Sequence, residues 1–258
     1  MSAPLTTPHP TAPARLSRSE QSVVLASRYR AVLLGEPGTL LVILGQAPIL
    51  GGLCALVWGR LGSDSATLHF VLALCAVWLG CTAACREVVR ERPVIDRERL
   101  LGVSDSAVIL SKFKVLAVIS ALQVALLQGT VEWNLALRGP MLIEWGSLWL
   151  AGLAGVGLGL AVSALARTEP HAVGVVPLLL IPQLLFSELA IPRGAFGGAV
   201  DVIEELMPVA WCWRLFKAVA APEPAWLDAL GDLSVQVGMV GVLVGVAALS
   251  LKLTGRRT

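Results

Sequence analysis

The sequence predicts an all-α membrane protein with six transmembrane helices, and three observations lead there. Of the 258 residues 56% are apolar, and the mean hydropathy is +0.77. Only 15% are charged, against roughly 25% in a soluble domain. The apolar residues gather into six uncharged stretches, five of them about as long as a bilayer crossing, for which about 20 residues suffice. A net charge of +2 leaves no basic footprint for nucleic acid. The expected surroundings are membrane lipid and other proteins.

Residues 1–16 are rich in Pro, Thr and Ala with no apolar run, and read as a disordered tail rather than a signal peptide. Ser17 and Glu20 then form a Ser-x-x-Glu capping box. Leu25, Tyr29, Val32 and Leu33 recur at helical spacing, while Arg18, Glu20, Arg28 and Arg30 stay polar. This predicts an amphipathic helix over 17–36, ended by Gly35 and Pro37. Such a helix lies in the membrane interface or packs on a partner.

Residues 37–258 read as one membrane unit. The expected spans are Gly38–Gly59 (with Pro48 inside), Ala66–Ala84, Val115–Val131, Gly146–Ala166, Ala172–Ser187 and Leu233–Leu251. The fifth is short and interrupted by Pro177 and Pro182. Between the fifth and sixth, residues 188–232 are too apolar for a plain loop and too interrupted for a span. Ile203, Leu206, Trp211, Trp213 and Phe216 there suggest re-entrant or interfacial helices with tryptophans at headgroup level. If the N-terminus is inside, Lys and Arg divide 15 inside to 5 outside. That split favours both termini in the cytoplasm.

No phosphate loop, HExxH or GxSxG motif occurs. The five cysteines form no CxxC pair, and His9, His69 and His171 are scattered. The sequence therefore offers no catalytic, cofactor-binding or metal-ligating set of its own. The absence of charge at mid-span speaks against an ion-coupled carrier. Gln46, Gln123, Gln128, Gln183 and Gln236 are read as bonds between helices. Gly155 with Gly159, and Gly241 with Gly245, are read as helix-packing motifs.

The stretch 86–114 is different. Twelve of the chain's 38 charged side chains fall in these 29 positions. Arg86–Arg92 extends the second span, and Pro93 breaks it. A short helix is expected over Arg97–Leu101, with Asp96 as N-cap and Gly102 as stop. Ser104 or Asp105 caps the helix of the third span. A passive, solvated loop is the plain alternative. The apolar tip Leu100-Leu101 favours a cytoplasmic elbow that docks on a partner.

The order of these features resembles a known family. It comprises an amphipathic entry helix, Gln46-Ala47-Pro48, the elbow Cys85–Arg92 with Arg97-Glu98-Arg99, Ser111-Lys112-Phe113, Ile181-Pro182-Gln183-Leu184-Leu185-Phe186, Ile191-Pro192 and Met207-Pro208. Together they resemble the membrane domain of type-two ABC exporters, white/G-subfamily-like, and bacterial relatives with forkhead-associated-domain ATPases look closest. The sequence departs from the family in lacking an aromatic residue over Val103–Ile109, and in having Ser187-Glu188-Leu189 where a glycine is common.

The resemblance implies a connecting helix, a coupling elbow and re-entrant helices in a six-helix permease of the bacterial inner membrane. It implies a partnership with two nucleotide-binding domains carrying ATP and magnesium, expected on separate chains, and with a second permease copy or paralogue. It implies ATPase coupling through Glu87, Arg90, Glu91, Arg97, Glu98, Arg99 and Leu100. The substrate path would be lined by Phe70, Leu74, Trp78, Leu180, Leu184 and Phe186. The uncharged spans then suit a hydrophobic or amphipathic cargo. On this reading charge reversal at Glu98 or Arg99 uncouples the ATPase while leaving the chain folded. A membrane scaffold or regulatory subunit of the same fold is the competing reading.

Overall fold

The computed structural model describes residues 17–60, 66–135, 137, 140–187, 198–221 and 223–255. The expected tail at 1–16 and the stretch 188–197 of the expected re-entrant segment lie outside them. Every regular element among the described residues is a helix. In chain order these are α1 Arg18–Gly35, α2 Pro37–Trp58, α3 Ala66–Ala84, α4 Glu87–Arg90, α5 Arg92–Leu100, α6 Asp105–Glu132, α7 Met141–Leu165, α8 Glu169–Leu185, α9 Gly198–Glu205, α10 Pro208–Ala220 and α11 Trp226–Gly255.

Among the described residues five helical stretches are long and apolar enough to cross a membrane. They are α2, α3 running on through α4, α6, α7 and α11. The sixth expected span is α8, which has only 17 residues, or ~25 Å at 1.5 Å per residue. Pro170 occupies its first turn, and Pro177 and Pro182 lie inside it. By length α8 falls outside the five spanning stretches. α6 and α7 are longer than their apolar runs, because Ser104 caps α6 through a bond from the Ala107 N–H at 3.3 Å and Pro140 precedes α7.

α1 starts with the expected capping box. The Ser17 N–H donates to Glu20 Oε2 at 2.7 Å, and the Glu20 N–H donates to Ser17 Oγ at 3.3 Å. Its inner stripe is Ser22, Tyr29 and Leu33, with Leu25 half-buried beside them. Val32, expected on that stripe, is exposed together with Val23, Val24 and Leu34. It lies about 100° round the helix from Leu33, so the outer face of α1 is apolar as well.

α3 against α7 is the centre of the bundle. A Cβ on Gly80, Gly155 or Gly159 would run into the carbonyl oxygens of Gly152, Val77 and Cys81 respectively. The two backbones approach as closely as they do because no side chain intervenes. Gly155 and Gly159 are thus packing residues, whereas Gly241 and Gly245 on α11 face open space. α2 packs on α6, where Gln123 Nε2 donates to the Ile43 carbonyl at 2.9 Å. α11 packs on α7, where Gln236 Nε2 donates to Ser147 Oγ at 3.0 Å. Those two glutamines do bond between helices, while Gln183 bonds within α8 to the Leu179 carbonyl.

α10 closes the end opposite the elbow. It packs on α3, α7 and α11. Trp213 meets Phe70 edge to face at 6.2 Å, and Phe216 lies 5.1 Å from the His69 ring. Trp213 is therefore a core residue of the protein rather than a headgroup anchor, because its ring fills the space beside Phe70.

The crowding at α3 and α7 sets an expectation. Gly155→Ala forces backbone apart and lowers stability by about 1–3 kcal/mol, whereas Gly241→Ala is neutral or stabilising. Thermal unfolding of the two variants in one detergent distinguishes them.

Candidate functional site

The elbow is built from α4 and α5, and proline determines its shape. Pro93 has no N–H, and its ring excludes the carbonyl four residues back, so α4 cannot continue straight. The same residue is well placed in the first turn of a new helix. α5 accordingly starts at Arg92, earlier than the expected Arg97, and Glu91 rather than Asp96 occupies the N-cap position. Its end is as expected. Gly102 has φ +89°, the Gly102 N–H donates to the Arg99 carbonyl at 3.0 Å, and the Val103 N–H donates to the Glu98 carbonyl at 3.1 Å. This is a Schellman motif, and glycine supplies the left-handed residue it needs.

One face of the elbow is fastened to the bundle. In α4 the N–H groups of Val88 and Val89 both donate to Ser163 Oγ of α7, at 2.9 and 3.0 Å. Arg92 Nη2 donates to the Ala164 carbonyl at 2.7 Å. Glu91 lies 2.9 Å from Lys112 Nζ of α6, and Lys112 is 2% exposed. The ammonium also sits 4.3 Å above the Tyr29 ring of α1. Arg90 faces Glu87 at 3.6 Å and Glu36 at 3.9 Å. Burial, with Glu87 beside it, pushes the Tyr29 phenol up, so it stays protonated.

α5 is tied at its far end too. Arg28 of α1 pairs with Glu98. Arg99 Nη1 meets Asp96 at 2.5 Å, its Nε meets Asp105 at 2.6 Å, and its Nη2 donates to the Leu251 carbonyl of α11 at 2.9 Å. Ser104 N donates to Gln21 Oε1 of α1 at 3.1 Å, and Ile95 is buried beneath the helix. The opposite face carries Pro93, Val94, Arg97, Leu100 and Leu101, all exposed. These positions fall on one side of a helix turn. Leu100 and Leu101 are 88% and 84% exposed, and burying each would contribute about 2 kcal/mol.

The seven residues expected to couple to a partner therefore separate by position. Arg97 and Leu100 face outward. Glu87 is buried, Arg90 and Glu91 join the ion pairs around Lys112, and Glu98 and Arg99 brace α5 against α1, α6 and α11. Lys112, Arg28, Tyr29, Glu36 and Ser163 complete the network and were not among the expected site residues. Lys112 had a local signal: it lies among Ile109, Leu116 and Ser111, on the buried side of α6. Ser163 had none.

The expected path residues also separate. Phe70 and Leu180 are buried within the chain, and Leu74 packs partly against the same core. Trp78 and Leu184 are exposed at 48% and 47%, and Phe186 is half-buried. Trp78 borders a groove of about 550 Å³ between α2, α3 and α8, whose polar members are Thr39, Gln46, Thr82 and Arg86. Among the described residues no group of His, Cys, Asp and Glu is arranged to hold a metal. Cys212 is buried against Ser147 Oγ at 3.3 Å.

Residues 20–220, from α1 to the end of α10, match the family model described as ABC-2 type transporter. The chain belongs to the ABC-2 type transporter family. It is a multi-pass membrane protein, and its fold is the permease part of such a transporter. It is also 25% identical over 199 residues to the ABC transporter ATP-binding/permease protein Rv1747 of Mycobacterium tuberculosis. That alignment covers 70% of this chain but 23% of the relative, so the match spans less than a quarter of that protein's length. ABC-2 permease domains work with ABC ATPase partners, and the elbow of this permease has a fixed inner face and an exposed apolar outer face.

The ion pairs give a direct test. Lys112→Met strands Glu91 and Glu87 and should lower stability by about 3–5 kcal/mol, while the double variant Lys112→Met/Glu91→Met should recover part of the loss. Thermal unfolding of the two variants supplies the comparison. Charge reversal at Arg99 brings a carboxylate against Asp96 and Asp105, so it should loosen the elbow itself as well as any docking.

Proposed function

We propose that this chain is the permease subunit of an ATP-driven ABC exporter of the bacterial inner membrane, with both termini cytoplasmic. α8 completes six spans, and α9 and α10 form the external re-entrant segment. Two such permeases, identical or paralogous, form one path. ABC ATPase subunits with two nucleotide-binding domains, loaded with ATP and magnesium, drive it. The observation that supports this reading best is the two-faced elbow. Its inner face is locked to α1, α6, α7 and α11, while its outer face offers Arg97, Leu100 and Leu101 to a partner.

The proposed cycle uses that arrangement. ATPase closure displaces the tip formed by Leu100 and Leu101. The ion pairs of Glu87, Arg90, Glu91, Glu98 and Arg99 keep α4 and α5 from yielding, so the displacement passes into α3 and α7. Trp78 and Leu184, exposed on α3 and α8, face the second permease across the path. Phe70, Leu74, Leu180 and Phe186 shape the wall behind them. The apolar surface suits a hydrophobic or amphipathic cargo moved outward, with Gln46 and Thr82 available to its polar part.

Purification of the full chain from native membranes in mild detergent should bring an ABC ATPase with it. The double variant Leu100→Asp/Leu101→Asp should lose that ATPase or its stimulation by at least tenfold, since two buried leucines are worth about 4 kcal/mol, while unfolding at the wild-type temperature. Retained, stimulated ATPase in the double variant would remove the elbow as the docking site. Absence of any ATPase, even when supplied, would favour a scaffold.

A further inference from the structure

The outer side of α1 and α6 carries a groove that neither the elbow nor the α2–α3–α8 face uses. It encloses about 530 Å³ and is walled by Val23 and Leu34 of α1, Leu40 of α2, and Val118 and Leu122 of α6. Two cations, Arg30 and Lys114, line it, and no carboxylate does. A second hollow of about 440 Å³ shares Leu34 and Leu40 with the first and runs on along the α2–α6 seam to Pro48 and Leu126. Val118, Leu122 and Leu126 are four residues apart and all exposed, which makes a stripe of ~12 Å along α6.

Charge is thus confined to one end of a continuous apolar trough. Lys114 stands near the elbow end of α6, and the stripe leads from it into the spanning part of that helix. The neighbouring cations Arg28 and Lys112 are engaged by Glu98 and Glu91. Arg30 is exposed and has no acidic partner among the described residues, and Lys114 Nζ meets the Ser22 hydroxyl at 2.8 Å. The two are available to an anion.

We propose that this trough binds one anionic phospholipid of the surrounding bilayer, with its phosphate held by Arg30 and Lys114 and an acyl chain laid along Val118, Leu122 and Leu126. A water-soluble partner would not reach Leu126, which lies within a membrane-spanning helix. A second copy docking the same face would set like charges against each other. A phospholipid satisfies both ends, because the headgroup meets the cations at the membrane surface and the chain covers the stripe. The site lies away from the proposed cargo path and does not depend on the direction of transport.

The test uses the full chain, delipidated in detergent and then offered phosphatidylglycerol and phosphatidylcholine in equal amounts, with retained lipid read by native mass spectrometry. The wild type should retain phosphatidylglycerol in preference. Arg30→Gln should reduce that preference roughly fivefold, the worth of one cation at a membrane surface. Val118→Trp, which fills the groove from an exposed position, should reduce retention of both lipids. Both variants should unfold at the wild-type temperature before lipid is added, so loss of lipid cannot be ascribed to misfolding. Equal retention of the two lipids, or a preference untouched by Arg30→Gln, would overturn the site. So would displacement of phosphatidylglycerol by an equal concentration of glycerol phosphate, which would reduce it to an anion site. Cross-linking of two copies of the Val118→Cys variant through that thiol would assign the groove to a second permease instead.

Discussion

The buried ammonium of Lys112 constrains much of the elbow. A lysine at 2% exposure is tolerated only beside an opposite charge, and Glu91 provides that charge from the turn between α4 and α5. The pairing fixes where the chain must bend after α3, and Pro93 makes the bend compulsory. Once α5 is laid across the end of the bundle, Arg99 can reach Asp105 at the start of α6 and the Leu251 carbonyl near the end of α11. Arg28 reaches Glu98 from α1. Elements far apart in sequence are thereby drawn to one small helix, which becomes an extension of the bundle.

α3 links that end to the other. It is pressed against α7 through glycines that leave no side chain between the backbones. A contact of this kind resists sliding, because any shift drives a Cβ or a carbonyl into a neighbour. At its start α3 meets α10 through His69 and Phe70. On the proposed function this is the mechanical route: an elbow that does not flex, joined to a helix pair that does not slip, ending beneath a cap of aromatic side chains. α2 and α11 are mostly unburied along their spanning windows and are free to meet lipid or a second permease.

Local chemistry in the sequence was enough for most of the helices and for several of their ends. The Ser17 capping box, the Ser104 cap, the left-handed Gly102 and the two prolines of α8 each act within a few residues, and each is where the pattern placed it. The glycines at 155 and 159 were legible as packing residues, but not that α3 is their partner. What local pattern missed is pairing at a distance. In sequence Glu98 and Arg99 point to an ATPase partner rather than to the chain itself, because their own partners Arg28 and Leu251 lie 70 and 152 residues away. The start of α5 was misplaced because Pro93 was read as a breaker only, when it also opens the next helix. Trp213 was read as an interfacial anchor because composition cannot tell a headgroup from the edge of Phe70.

The account rests on the elbow tip meeting an ATPase. The most direct measurement places a photoreactive residue at position 101 in the full chain, irradiates intact native membranes and identifies what is captured, with position 34 on the outer face of α1 as control. The account predicts an ABC ATPase captured from position 101 and not from position 34. Capture of lipid alone from position 101, or of the ATPase equally from both positions, would contradict it.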